Sequence, residues 1–120
     1  MALKTLTPVF VALAFLTVGC GDGDDDIVDA TPNADVEAIL TLTGDETAGA
    51  SVFSSTCSAC HGADGDSGYA ADLTSVVPAR SDERIIEAVI YGDGSMPAQS
   101  ALTDQEVADV LAYCRDTFGG

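Results

Sequence analysis

The sequence has few positive charges and few aromatic side chains. Its 120 residues contain no tryptophan, one histidine (His61), and four lysine or arginine residues against twenty aspartate or glutamate residues, a formal net charge of −16. Because nucleic acid and anionic lipid are themselves negatively charged, we expect neither as a partner. The length leaves room for one small domain, which excludes a multidomain enzyme.

The one lysine, Lys4, lies in an N-terminal segment that has the layout of an export signal. An apolar run over residues 6–18 follows it, and a small residue precedes Cys20. At 13 residues the run is too short to span a bilayer comfortably. Residues 16–20, LTVGC, resemble the lipobox of bacterial lipoproteins, which implies a signal peptide at 1–19 and lipidation of Cys20. The alternatives are ordinary signal removal, an uncleaved anchor, and a free thiol at Cys20.

Residues 20–44 are rich in small and acidic residues, and three consecutive aspartates stand at 24–26. A run of like charges normally stays solvated. This composition predicts an acidic flexible linker that tethers a folded domain of residues 45–120. Residues 36–42 are the apolar part of the segment, and the alternative is that they pack on the domain.

A five-residue motif, CSACH, occupies residues 57–61. The pattern Cys-x-x-Cys-His is the signature for covalent attachment of a c-type haem. Residues three apart share one face of a helical turn, so Cys57 and Cys60 would both reach one porphyrin, with His61 beneath the iron. A folded part of about 76 residues also has a marginal core, which a bound group would help to stabilise.

Three other kinds of site would use the same residues. A thioredoxin-like redox pair expects a strand before the motif, whereas a helical pattern precedes it here. A zinc site of Cys57, Cys60, His61 and Cys114 would have suitable ligands, but the spacing matches no common module. A structural disulfide leaves His61 without a role. The haem interpretation accounts for the whole motif and agrees with export.

The second axial position of the iron has one strong candidate, Met96. Since His61 is the only histidine, ligation by two histidines of this chain is impossible. Met1 and Lys4 lie in the segment expected to be removed. Met96 stands in the loop 92–97, GDGSMP, where glycines allow sharp turns and the proline stiffens the backbone. His/Met is a standard axial pair, and the alternative is that Met96 fills an apolar gap.

On these motifs, residues 44–118 resemble a small class I cytochrome c. The resemblance implies an all-α fold around one covalent haem, with a first helix over 48–57, a loop, a middle helix, a Met-Pro loop and a last helix. It implies that the last helix crosses the first near Gly49, with Phe53 and Tyr113 at the contact. In many relatives a proline carbonyl accepts a hydrogen bond from the proximal histidine. Ala71 stands there in this chain, and we expect its carbonyl to accept from His61.

Local signals support the last two helices independently. Ser81 can cap a helix with apolar residues at 85, 86, 89 and 90, and Gly92 can end it. Thr103 and Glu106 form a capping box at the start of the last helix. Cys114 lies on the apolar face of that helix, where a small buried residue fits. We therefore expect it to be an inert core thiol.

The resemblance implies an electron-transfer protein and not an enzyme. Such a cytochrome would carry single electrons between periplasmic or membrane-bound redox proteins, tethered to a bacterial membrane by lipid at Cys20. A chain that begins at Cys20 has three cations and twenty carboxylates (3 − 20 = −17). We therefore expect partners with a basic docking surface. The alternatives are a fixed haem subunit of a larger dehydrogenase or reductase and a ligand-sensing or peroxidatic haem protein.

Overall fold

The computed structural model describes residues 33–120. This part of the chain is helical and contains no β-strand, only an isolated backbone bridge between Asp93 and Met96. The expected all-α fold is thereby confirmed. None of the helices in residues 33–120 has the length and apolar composition that a bilayer crossing requires. The helices are α1 (Ala34–Leu40), α2 (Glu46–Val52), α3 (Ser58–His61), α4 (Leu73–Ala79), α5 (Asp82–Tyr91) and α6 (Asp104–Phe118), with a π-helical turn, Phe53–Cys57, between α2 and α3.

Helices α5 and α6 begin at the residues that their sequence signals predicted. Ser81 Oγ accepts a hydrogen bond from the Arg84 N–H at 3.4 Å, and Gly92 ends α5 with a φ of +86°. At the start of α6, Thr103 Oγ1 accepts from the Glu106 N–H at 3.2 Å, and the Glu106 carboxylate accepts from the Thr103 N–H at 2.8 Å. These caps give partners to N–H groups that the first helical turn leaves without any.

Helix α2 crosses α6 at very short range. A Cβ atom at Gly49 would lie 2.0 Å from the Asp109 carbonyl oxygen, so only glycine fits there. One turn later, the Phe53 ring centroid lies 5.2 Å from that of Tyr113 and 5.5 Å from that of Phe118. Tilted aromatic pairs at these distances add stability beyond the area that they bury. The crossing near Gly49, with Phe53 and Tyr113 at the contact, is as the resemblance implied.

Helix α1 lies within the segment predicted to be a linker. Its Val36 and Ile39 side chains are 0% and 1% exposed, and they pack against Ile86, Val107 and Ala108 of α5 and α6. Residues three apart lie on one face of a helix, so both side chains point into the same core. The structure therefore supports the alternative in which residues 36–42 pack on the domain.

The predicted linker boundary at residue 44 is therefore wrong, because the folded part includes α1. Two buried side chains are enough to dock a seven-residue helix on an existing core, although they are too few to form a helical pattern in the sequence. Residues 1–32 lie outside the described residues. They contain the expected signal peptide at 1–19, Cys20 and the rest of the predicted linker.

Candidate functional site

A cavity of about 500 Å³ lies between the helices, and most of its wall is apolar. Its wall includes Cys57, Cys60 and His61 from the haem motif and Met96 from the loop after α5. Side chains of α4, α5 and α6 complete the wall. Cavities of this size are typical of sites that enclose a cofactor. The fold thus brings every residue of the described chain that the sequence selected for a haem site to one space.

His61 is the last residue of α3 and is only 8% exposed. Its Nδ1 atom lies 2.8 Å from the Ala71 carbonyl oxygen. A carbonyl can only accept, so Nδ1 carries the proton and donates it, and Nε2 keeps its lone pair. A bond of this kind fixes both the tautomer and the ring orientation of a metal-ligating histidine. The expected bond from His61 to Ala71 is confirmed, although no proline stiffens the acceptor.

The two cysteines of the motif are partly buried at the cavity wall. Burial is the main cause that raises the pKa of the Cys57 thiol to about 11, and the neighbouring Cys60 contributes to the same rise. A catalytic redox pair needs a lowered thiol pKa, because the thiolate is the reactive form. The raised pKa counts against a thioredoxin-like pair, as does the lack of any strand within residues 33–120.

A π-helical turn that ends at the first residue of the motif is a feature that the sequence did not lead us to expect. The predicted first helix, 48–57, was continuous, whereas the structure has α2 followed by the turn Phe53–Cys57, in which the Ser58 N–H donates to the Phe53 carbonyl. Ser58 Oγ donates to the Ser54 carbonyl at 2.7 Å, and Ser55 Oγ donates to the Val52 carbonyl at 3.2 Å. These hydroxyls supply hydrogen bonds to carbonyls around the wider turn, and such turns often lie at functional sites.

Met96 reaches the cavity from a tight turn after α5. Its N–H donates to the Asp93 carbonyl at 2.9 Å, and the Asp93 N–H donates to the Met96 carbonyl at 3.1 Å. Gly94 lies inside this turn with a φ of +58°, a conformation that glycine adopts without strain. Further along, the Gln99 N–H donates to the Val89 carbonyl at 2.7 Å and holds the loop against α5. The thioether of Met96 is thus available to the space that His61 faces.

The zinc alternative has no support in the part of the chain that the structure describes. Within residues 33–120, no group of three or more histidine, cysteine, aspartate or glutamate side chains could hold a metal ion. Cys114 is buried, 8% exposed, and packs with Phe53, Val77, Val110 and Phe118. That position is the core position expected for it.

Comparison with known proteins identifies the family. Residues 44–114 match the family model described as cytochrome C oxidase, cbb3-type, subunit III. A protein of Synechocystis sp. described as cytochrome c-553-like is 34% identical over 80 residues, which cover 67% of this chain and 76% of that protein. The crystal structure of cytochrome CL from the marine methylotrophic bacterium Methylophaga aminisulfidivorans aligns with a TM-score of 0.56 at 21% identity, over 74% of this chain and 71% of the other. This last likeness concerns the fold.

The chain belongs to the cytochrome c family and is a monohaem c-type cytochrome. Its cofactor is haem c, bound covalently through Cys57 and Cys60. The residues around the cavity fit this group. The two cysteines lie at its wall, His61 has a free ring nitrogen, and the remaining surface is mainly apolar.

Proposed function

We propose that this cytochrome carries single electrons between redox proteins, with His61 and Met96 as the two axial ligands of the haem iron. The observation that carries the proposal is the single cavity whose wall holds the motif cysteines, a histidine with a free Nε2 and a methionine from a separate loop. The haem iron, when bound, accepts and releases one electron. His/Met ligation is a common pair in electron-transfer cytochromes.

The residues of the chain have three tasks in this function. Ala71 holds the His61 ring in one orientation, so that the ligand does not need to turn when the charge of the iron changes. Met96 would hold the iron from the side opposite His61 and would thereby keep small external ligands from binding there. The mainly apolar wall would limit the response of the surroundings to a change in charge, because it offers few polar groups that could reorient.

The charge of the chain supports partners with a basic docking surface. All three arginines in residues 33–120 form ion pairs with carboxylates, and the fifteen carboxyl groups there outnumber these three arginines. We expect association with a basic redox protein to slow as salt is added, because complementary charges steer the encounter. Association rates that do not change with ionic strength would contradict this docking model.

The N-terminal sequence supports a lipid anchor at Cys20 on a bacterial membrane, with the haem domain in the periplasm. The support is the resemblance of residues 16–20 to a lipobox. The mass of the intact protein from the membrane fraction tests this proposal. A mass that corresponds to residues 20–120 with haem and acyl chains is expected. Residues 1–19 retained, or an unmodified Cys20, would contradict it.

A fixed haem subunit of a larger complex is the second candidate. The family model is described as an oxidase subunit, but the match itself shows only a cytochrome c and does not favour this candidate over a carrier. Purification from native membranes separates the two candidates. A carrier is recovered alone after mild detergent extraction, whereas a fixed subunit is recovered with stoichiometric partner chains.

Spectroscopy of the haem-loaded protein tests the ligands directly. The ferric protein should show the Met-to-iron absorption band, and the ferrous protein should bind carbon monoxide only weakly at neutral pH, because the gas must first displace Met96. Met96→Ala should keep its covalent haem, lose the band and bind carbon monoxide tightly, while Ser95→Ala, one residue away, should behave as the wild type. A wild type without the band that binds carbon monoxide would contradict Met96 ligation and favour a ligand-sensing haem. Haem that acidified acetone extracts from the wild type would contradict the covalent bond.

A further inference from the structure

Besides its backbone hydrogen bonds, the turn that carries Met96 is linked to the rest of the domain by a side chain that the proposed function does not use. Arg80, which follows α4, donates from Nη1 to Asp93 Oδ2 at 2.7 Å. Asp93 is the residue whose backbone exchanges two hydrogen bonds with Met96. The ion pair therefore holds the Asp93 end of the short turn whose other end is Met96.

Arg80 is itself held in place from α6. The Arg115 guanidinium donates from Nη2 to the Arg80 carbonyl at 2.6 Å, and from Nε to Asp82 Oδ1 at 2.7 Å. A third bond runs from Nη1 to the Val77 carbonyl at the end of α4. Since Arg115 fixes the backbone of Arg80, the Arg80 side chain extends to Asp93 from a rigid base.

We propose that Arg80 is a positioning residue for Met96, acting through its ion pair with Asp93 to keep the methionine turn closed over the cavity. This inference rests on the proposed function, because it requires Met96 to be an iron ligand. Arg80 and Asp93 both line the cavity at its rim, so the pair lies beside the ligand that it positions. When the pair is broken, the turn keeps its two backbone hydrogen bonds but loses its link to α4 and α6.

The size of the effect follows from the exposure of the pair. The side chains are 38% and 39% exposed, so water and salt screen the attraction and the expected effect is modest. We expect the apparent affinity of the ferrous protein for carbon monoxide to rise about two- to fivefold when the pair is removed. Added salt should raise this affinity in the wild type and have little effect once the pair is gone.

The test uses Arg80→Gln and Asp93→Asn in the haem-loaded protein. These substitutions change the net charge in opposite directions, so a general electrostatic effect on the iron would have opposite signs in the two variants. Loss of the positioning pair predicts the same result in both, a weaker Met-to-iron band and tighter carbon monoxide binding. The double variant should match either single variant. Arg80→Lys, which keeps a positively charged donor, should retain more of the band than Arg80→Gln.

Arg84 and Glu87 supply matched controls. They form an exposed ion pair on α5, so Arg84→Gln and Glu87→Gln make the same changes of charge without breaking a bond to the methionine turn, although the charge of Arg84 also acts on Asp93 at longer range. Both should keep the wild-type band and carbon monoxide affinity.

A wild type with the band and an Asp93→Asn variant indistinguishable from it would overturn the positioning role and leave Met96 ligation standing. An effect in Arg80→Gln alone would also overturn it, because Arg80 would then act on the haem directly. A wild type without the band contradicts the proposed function instead.

Discussion

The two sides of the haem cavity are held in different ways. The histidine side is held by packing, through the close contact of Gly49 with α6, the ring of Phe53 among other aromatic side chains, and a buried histidine. The methionine side is a turn held by a few backbone hydrogen bonds and a partly exposed ion pair. The contacts on the histidine side belong to the core that the whole fold shares. The bonds on the methionine side lie outside that core.

This difference separates stability from ligation. A change on the histidine side removes contacts that the whole fold shares, so the free energy of unfolding should fall together with haem binding. A change on the methionine side should alter ligation while the helices stay folded, since local opening costs less than global unfolding. The following substitutions test this contrast, beginning with the largest expected effect.

The largest effect should come from Gly49→Ala. The added Cβ would lie 2.0 Å from a backbone oxygen of α6, which cannot rotate away, so α2 and α6 must separate. We expect a loss of about 3 kcal/mol or more in the free energy of unfolding, measured with denaturant on the haem-loaded protein. Gly94→Ala is the matched control on the methionine side. Its Cβ would meet nothing within 4 Å, and only its φ of +58° costs about 1 kcal/mol. Equal losses in the two variants would abolish the contrast.

A smaller effect is expected from Asp109→Ala, where a buried acceptor on α6 is removed. Asp109 Oδ1 accepts from the Asp45 N–H at 2.8 Å, at the start of α2, and from Gln105 Nε2 at 2.8 Å. Without it the Asp45 N–H loses its partner, and we expect a loss of about 1–3 kcal/mol in the free energy of unfolding. Asp109→Asn keeps an acceptor oxygen and should recover most of this loss. Asp116→Ala, exposed on the same helix, should have little effect, and a comparable loss there would refute the explanation.

The smallest effect is expected at Cys114 near neutral pH. Burial raises the pKa of this thiol from 9.0 to about 12. The native thiol should therefore react slowly with alkylating reagents at pH 8, and reaction should become fast when denaturant is added. The unfolded chain ionises first as the pH rises, so this group favours the folded state below about pH 9 and less so above it. Rapid labelling of the native protein at pH 8 would show that the core around Cys114 opens.

The sequence was most informative where structure depends on neighbours in the chain. Ser81, Thr103 and Glu106 act within one helical turn, so the starts of α5 and α6 could be predicted. Helix α1 could not, because its stability comes from Ile86 and Val107, about fifty or more residues away. The π-helical turn could not be predicted either. Serine hydroxyls that bond to earlier carbonyls were its one local signal, and serines have many other uses.

The candidate site also has features that the sequence predicts and features that it does not. The haem motif and the expected partner of His61 came from the motif and from the resemblance, and the structure brings them together with Met96. The Arg80–Asp93 pair was not expected, because the two residues lie thirteen apart across α5. Their contact depends on how Arg115 fixes the end of α4, which no local pattern encodes.

The pairing of the arginines has a consequence for encounters between two copies of this protein. Arg80, Arg84 and Arg115 each bind a carboxylate of their own chain, and the described part of the sequence has no lysine. Two copies therefore carry net negative charge and repel each other. Added salt weakens this repulsion because it screens the charges. Electron self-exchange should then accelerate with ionic strength, the reverse of delivery to a basic acceptor. With the proposed function, the protein in dilute buffer would pass its electron to a basic partner and rarely to another molecule of its own kind.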